Sequence, residues 1–421
     1  MASSLIIDHL GGELVKIETY RDLEKQIRAK VAAPGAYDDP DPDSDLDLFK
    51  LTTKLLRLNP EYYTIWNVRR RCLISGLLCK PSGGSWPSKE LPSSSQSATT
   101  RPSSEASSPS FSAATRPSQS SPTTGESGTT VDEKNSATTT TTTTTTTTIK
   151  EQESDADVLK AELEFTIPLL LEYPKCYWIW NFRRWILSQA IIRLPVSKAR
   201  NIWEMELGLV SKMLTKDRRN FHAWGYRRYV VTTLESPALQ GKSMVESEFA
   251  YTTNMIEKDL SNFSAWHNRS QLILRLLEER GADDEARARF LDNELEWVKE
   301  GLNVGPEDQS LWYYHQFLMS QIANYQGRAT IAPALTPDER IDYIRREIDD
   351  AKDLLEDYQD VKWIYEALLE YSITLRRVEL AAGREGGKDE DPRAWLEKVR
   401  ALDPMRRGRW SNVETQLLSA K

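Results

Sequence analysis

The chain has 421 residues, a formal net charge of −8 and a pI near 5.4, too acidic for a nucleic-acid footprint, which needs a basic excess. Its three cysteines stand in no C-x-x-C spacing and its four histidines are scattered, so neither a disulfide framework nor a metal site is indicated, and a reducing, cytoplasmic setting is expected. No stretch approaches the ~20 apolar residues that span a bilayer, and the opening MASSLIIDHL, with its early Asp8, makes a poor secretory signal.

In chain order, residues 1–80 hold N-terminal helices and the first copy of a motif, NPEYYTIWNVRR, centred on Trp66. Further copies read YPKCYWIWNFRR (Trp180), DRRNFHAWGYRR (Trp224), LSNFSAWHNRSQ (Trp266) and PEDQSLWYYHQF (Trp312). Each tryptophan is followed three positions on by arginine or histidine, and in the first four copies an aromatic residue stands three before it. Residues 81–150 are Ser, Thr and Pro, with an unbroken threonine run from Thr138 to Thr148 and five basic residues against five acidic ones. Such a segment buries too little apolar surface to offset its ordering entropy and is expected to be disordered. The tryptophan spacing marks it as an insertion: separations are 44, 42 and 46, but 114 between Trp66 and Trp180, which is one ordinary period plus 70.

Residues 151–421 are expected to hold the remaining hairpins and capping helices. Asn201–Thr215 places Ile202, Met205, Leu209 and Met213 at helical spacing, and Phe221–Thr233 follows after a break in which Asn220 is the candidate cap. Ser247–Ser261 and Phe263–Leu277 repeat the arrangement, with Asn262 as cap. Pro60, Pro174 and Pro306, each six before a tryptophan, are expected in the first turn of a helix. Weaker copies centre on Trp363 and Trp410, as terminal units of an array are atypical. The fold class is all-α, a right-handed superhelix of stacked helical hairpins forming one repeat domain.

Tryptophan, the residue three on and the residue seven on share a helix face, so the repeated residues are expected to pack repeats together. The indole N–H should meet a backbone carbonyl, and the arginine an aromatic face or a neighbouring carboxylate. Function is sought where copies differ. Lys175, Tyr177 and His222 stand at the N-terminal openings of adjacent second helices, where free N–H groups favour an anion such as a diphosphate. On spacing alone, a solvated lysine and a packing histidine are the favoured explanation of these residues, since no metal or nucleophile accompanies them.

The W-N-x-R-R motif and its run of copies resemble the repeat of protein prenyltransferase α subunits, over about Pro60 to Phe317 apart from the insertion. NPEYYTIWN, DQSLWYYH, Lys362-Trp363 and ALDPMR are most similar to the type II, Rab-specific geranylgeranyltransferase branch in its compact fungal form. The resemblance implies a heterodimer in which a β subunit carries the zinc and most of the lipid pocket, with no cofactor in this chain. It implies transfer of geranylgeranyl from geranylgeranyl diphosphate to C-terminal cysteines of Rab GTPases presented by a Rab escort protein. It further implies that Lys175, Tyr177 and His222 flank the diphosphate, and that Trp178, which replaces a glutamine of the farnesyltransferase type, disfavours direct reading of a C-terminal tetrapeptide. A shared α subunit of farnesyltransferase and geranylgeranyltransferase type I, or a non-catalytic helical scaffold, are the competing readings.

Overall fold

The period of the apolar pattern and the caps between its runs produce two helices per repeat. The computed structural model describes residues 2–33, 42–79, 138–323, 327–384 and 392–419. Its α-helices are α1 (Ala2–Val31), α2 (Pro42–Leu58), α3 (Tyr63–Cys72), α4 (Thr138–Glu172), α5 (Tyr177–Arg193), α6 (Val196–Lys216), α7 (Phe221–Leu234) and α8 (Val245–Lys258). They continue as α9 (Phe263–Glu279), α10 (Asp284–Val304), α11 (Gln309–Ala323), α12 (Pro337–Asp357), α13 (Lys362–Ala381), α14 (Pro392–Leu402) and α15 (Arg407–Ser419). No strand occurs among the described residues, and the chain is an all-α helical-repeat solenoid. The pairs α2/α3, α4/α5, α6/α7, α8/α9, α10/α11 and α12/α13 pack as hairpins, and the second helices α3, α5, α7 and α9, α11, α13 lie against their neighbours in sequence.

Of the predicted insertion, residues 81–137 lie outside the described residues. Residues 138–150 form the first turns of α4, against the expectation that they stand apart from the fold. Threonine is a modest helix former, but extending a helix that already exists needs no new nucleus.

The five repeat tryptophans are 1–3% exposed. Each indole Nε1–H donates to the carbonyl six residues earlier: Trp66 to Pro60 (2.8 Å), Trp180 to Pro174 (2.9 Å), Trp224 to Arg218 (2.8 Å), Trp266 to Leu260 (2.8 Å) and Trp312 to Pro306 (2.7 Å). Burying a ring of ~200 Å² is worth on the order of 5 kcal/mol gross, and this bond spares it an unmet buried donor. The prolines thus sit in the loop before the helix and serve through their carbonyls, not in the first helical turn. In α13 the same bond is made by Tyr365, whose hydroxyl donates to the carbonyl of Gln359 at 2.9 Å. Tyr365, and not the expected Trp363, is therefore the counterpart of the repeat tryptophan. Trp410 keeps the expected role, with its indole donating to the carbonyl of Asp403 at 3.1 Å.

The basic residue after each tryptophan joins three helices. Arg183 of α5 grips Glu206 of α6 in a two-pronged pair (2.8 and 2.7 Å) and donates back to the Leu163 carbonyl of α4 (2.6 Å). Arg69 pairs likewise with Glu162, Arg227 with Glu248 and Arg269 with Glu294, at 2.5–2.8 Å. In the fifth copy His315 takes this place, with Nε2 2.9 Å from Glu347 and Nδ1 2.5 Å from the Tyr371 hydroxyl. These carboxylates account for a mistaken face on α6. Its buried side is Ile202, Trp203, Glu206, Val210, Met213 and Leu214, while Met205, expected inside, is 52% exposed.

Candidate functional site at the helix-opening rim

The edge formed by the N-terminal openings of α5, α7 and α9 is held in register by the residues just before each helix. Asn220 accepts from the backbone N–H groups of His222 and Ala223 at 3.0 and 3.2 Å, and its Nδ2 donates to the Pro174 carbonyl of the preceding repeat at 3.0 Å. Asn262 caps Ala265 in the same way and reaches the Arg218 carbonyl at 3.1 Å. Cys176 makes the corresponding link through its thiol to the Pro60 carbonyl, at 3.5 Å. The carbonyl that takes a tryptophan thus also takes the next repeat's cap, and one stitch sets both packing and rim.

Tyr177 is the first residue of α5 and His222 the second of α7. Their ring centroids lie 6.2 Å apart. Lys175, just outside α5, is 75% exposed, with its ammonium 4.0 Å from Asp217 in the loop that leads to His222. All three candidate residues therefore fall on one edge: two in ring contact, and Lys175 reaching the loop beside them. Burial holds the His222 imidazole below its ordinary value, with the Glu61 carboxylate pulling the other way. At neutral pH the ring is uncharged, and Lys175 supplies the positive charge. Arg219, one loop along, is spent on Asp259 in a pair at 2.7 and 3.0 Å.

Aromatic rings, largely missed in the sequence reading, line the same edge. Tyr63 and Trp178 meet at 5.3 Å, Trp178 and Tyr177 at 5.2 Å, Phe221 and His222 at 4.0 Å, Phe263 and Tyr313 at 6.0 Å, and Tyr313 and Trp363 at 5.9 Å. Tyr63, Tyr177, Phe221, Phe263 and Tyr313 are 38–68% exposed. A band of half-exposed rings is the composition of a protein interface. The signal was available in the first four copies, where the aromatic residue three before the tryptophan begins the second helix. Clefts of about 330, 380 and 440 Å³ lie elsewhere, at α11/α13/α15, α10/α12 and α4/α6. Among the described residues no group of three or more His, Cys, Asp or Glu is placed to hold a metal ion, and no helix is long and apolar enough to cross a membrane.

The family model described as "Protein prenyltransferase alpha subunit repeat" matches residues 45–75, 159–190, 203–234, 245–276 and 291–322, the five tryptophan-centred hairpins. The chain is 31% identical over 334 residues to the geranylgeranyl transferase type-2 subunit alpha of Candida albicans, covering 74% of this chain and 68% of that one. It is 28% identical over 304 residues to the protein of the same name from Schizosaccharomyces pombe, covering 62% and 86%. Against the Saccharomyces cerevisiae protein of that name it is 40% identical over 153 residues, covering 36% and 44%.

Proposed function

The chain belongs to the protein prenyltransferase α-subunit family, as a member of its geranylgeranyl transferase type-2 branch, and from that premise we propose how its rim takes part in the transfer. The chain is cytoplasmic and works as a heterodimer with a β subunit, which covers the aromatic band along the helix openings. Lys175 faces the diphosphate of geranylgeranyl diphosphate and stabilises the negative charge that grows as the C1–O bond breaks. Tyr177 donates a hydrogen bond to the same leaving group. His222, uncharged, orders the Tyr177 ring and offers a second polar edge. The chemistry needs positioned charge and donors aimed where charge develops, and a rim at helix N-termini provides both. Thiolate activation belongs to the zinc that the family resemblance assigns to the β subunit. The acceptor is a C-terminal cysteine of a Rab GTPase held by an escort protein.

The observation that carries this reading is the meeting of an exposed lysine, a phenol and a neutral imidazole on one edge of two adjacent hairpins. Co-expression with candidate β subunits tests the pairing: the type-2 β chain should co-purify with this one, and productive pairing only with a farnesyltransferase β chain would overturn the branch. Lys175→Ala in the assembled heterodimer should lower kcat for geranylgeranyl transfer by about tenfold or more, with little change in assembly. Unchanged turnover would remove Lys175 from the site and favour a scaffold role.

A further inference from the structure

We propose that Asn181 and Arg70 are positioning residues, which together turn the hydroxyl proton of Tyr177 toward the departing diphosphate. The inference rests on the role given to Tyr177 above and supplies its mechanism. Asn181 lies one turn after Tyr177 on α5, and its Nδ2 donates to the phenol oxygen at 3.0 Å. Its Oδ1 accepts from Nη2 of Arg70, at the end of α3 in the preceding repeat, at 2.7 Å. A guanidinium only donates, so the amide has one admissible orientation: oxygen toward Arg70, NH₂ toward Tyr177. The flipped amide would set two donors face to face at 2.7 Å. With its oxygen engaged as an acceptor, the phenol keeps its own hydrogen for another partner. Tyr177 is 49% exposed, and its ring lies 6.2 Å from that of His222 on the rim.

Arg70 is suited to drive this relay because its charge has no counter-ion among the described residues. Its neighbour Arg69 is locked to Glu162 at 2.6 Å, whereas no carboxylate stands within salt-bridge distance of Arg70 among the described residues. The Arg70 guanidinium lies 5.9 Å from the Phe182 ring and 5.7 Å from that of Trp185, and its Nε is buried without a hydrogen-bond partner. Burial lowers its pKa, while the Tyr177 phenol favours its charged form, and it remains a cation at any working pH. Hydrogen bonds in series polarise one another. A cation on the amide oxygen makes the NH₂ a stronger donor, and that in turn makes the Tyr177 hydroxyl a stronger donor to a diphosphate oxygen. The relay belongs to one repeat junction. At the next, Gly225 stands at the Asn181 position and Arg184, at the Arg70 position, stacks on Tyr229 at 4.1 Å. At the one after, Arg228 again donates to an asparagine, Asn268, at 3.1 Å, but Phe263 at the Tyr177 position has no hydroxyl to aim; a feature complete at one junction is a better candidate for function than one that every copy repeats.

Asn181→Asp is the discriminating variant. It keeps the Arg70 bond and the shape of the side chain, but presents an acceptor to Tyr177, which then donates its proton inward. The measurement is kcat and KM for geranylgeranyl diphosphate in the assembled heterodimer, with a Rab–escort complex as acceptor. Tyr177→Phe and Asn181→Asp should each lower kcat about tenfold, the scale of a hydrogen bond to a charged group, with KM and melting temperature nearly unchanged. The double variant should be no slower than the slower single one, because both remove the same donor. Arg70→Lys should retain more of kcat than Arg70→Met. Wild-type kcat in Asn181→Asp, or losses that multiply in the double variant, would overturn the relay while leaving Tyr177 in the site. Wild-type kcat in Tyr177→Phe would remove Tyr177 itself, and the relay with it.

Discussion

His222 shows how position on a helix sets the chemistry of a side chain. As the second residue of α7 it is pressed against Phe221 at 4.0 Å and faces Tyr177 at 6.2 Å, and this half-burial disfavours the imidazolium. The linkage has a definite sign. A histidine whose folded-state pKa lies below its unfolded value, about 6.5, costs no stability above that pH; as pH falls below it, the unfolded chain takes up the proton first and stability declines. Thermal unfolding of the heterodimer between pH 7.5 and 5.5 should therefore show a smaller loss for His222→Gln than for the unaltered chain. A larger loss in the variant would mean that folding stabilises the imidazolium and makes His222 a second cation beside Lys175, and an equal loss that folding leaves its titration unchanged. Lys175 and His222 could be picked out because their residue types depart from those at matching positions of other copies, whereas Tyr177 shares its type with Tyr63 and stood out only by its place between them and by the family resemblance. Arg70 and Asn181 could not, since their types recur in the motif and only geometry separates Arg70, without a counter-ion among the described residues, from Arg69, locked to Glu162.

At the scale of the element, the joint between hairpins is a buried ion pair set among rings. Arg227 holds Glu248 at 2.6 and 2.8 Å, lies 3.4 Å from the Tyr251 ring centroid and donates to Ser211 at 2.7 Å. Removing one partner leaves a desolvated charge, so Arg227→Met should cost about 3–5 kcal/mol of stability, and Arg227→Met with Glu248→Leu should recover most of it. Urea unfolding of the single and double variants measures the coupling, and additive losses would show that the arginine serves through packing alone. The fifth joint is of another kind. There burial opposes ionisation of Glu347, but the His315 ring and the Arg346 guanidinium prevail and hold its carboxyl below the usual value. These joints also explain which elements were legible. Helix existence and the asparagine caps at 220 and 262 follow from periodicity and side-chain chemistry, and the structure bears them out. The face of α6 was misjudged because a buried glutamate reads as solvent-facing until its arginine is seen to come from the previous hairpin.

At the scale of the whole molecule, the array closes across the long interruption between its first two repeats. The backbone N–H of Cys79, at the last described position before the gap, donates to Asp155 Oδ1 at 2.9 Å, and its carbonyl accepts from Arg193 of α5. Arg193 in turn lies 3.6 Å from Asp155, with both side chains only 5% exposed. The two flanks are thus fastened to each other by the fold itself, and the tryptophan spacing returns to register once 70 residues are set aside. Replacing residues 81–150 with a short Gly/Ser linker removes the early turns of α4 but none of these contacts. Shortening the loop about tenfold should also stabilise the fold by ~2 kcal/mol through reduced closure entropy. The shortened chain should therefore pair with its β subunit, melt at or above the temperature of the full chain and keep kcat for geranylgeranyl transfer. Loss of pairing in co-purification would show that residues 81–150 belong to the subunit interface; preserved pairing with slowed transfer to a Rab–escort complex would instead assign them to acceptor docking, since the rim proposed to meet the diphosphate is untouched.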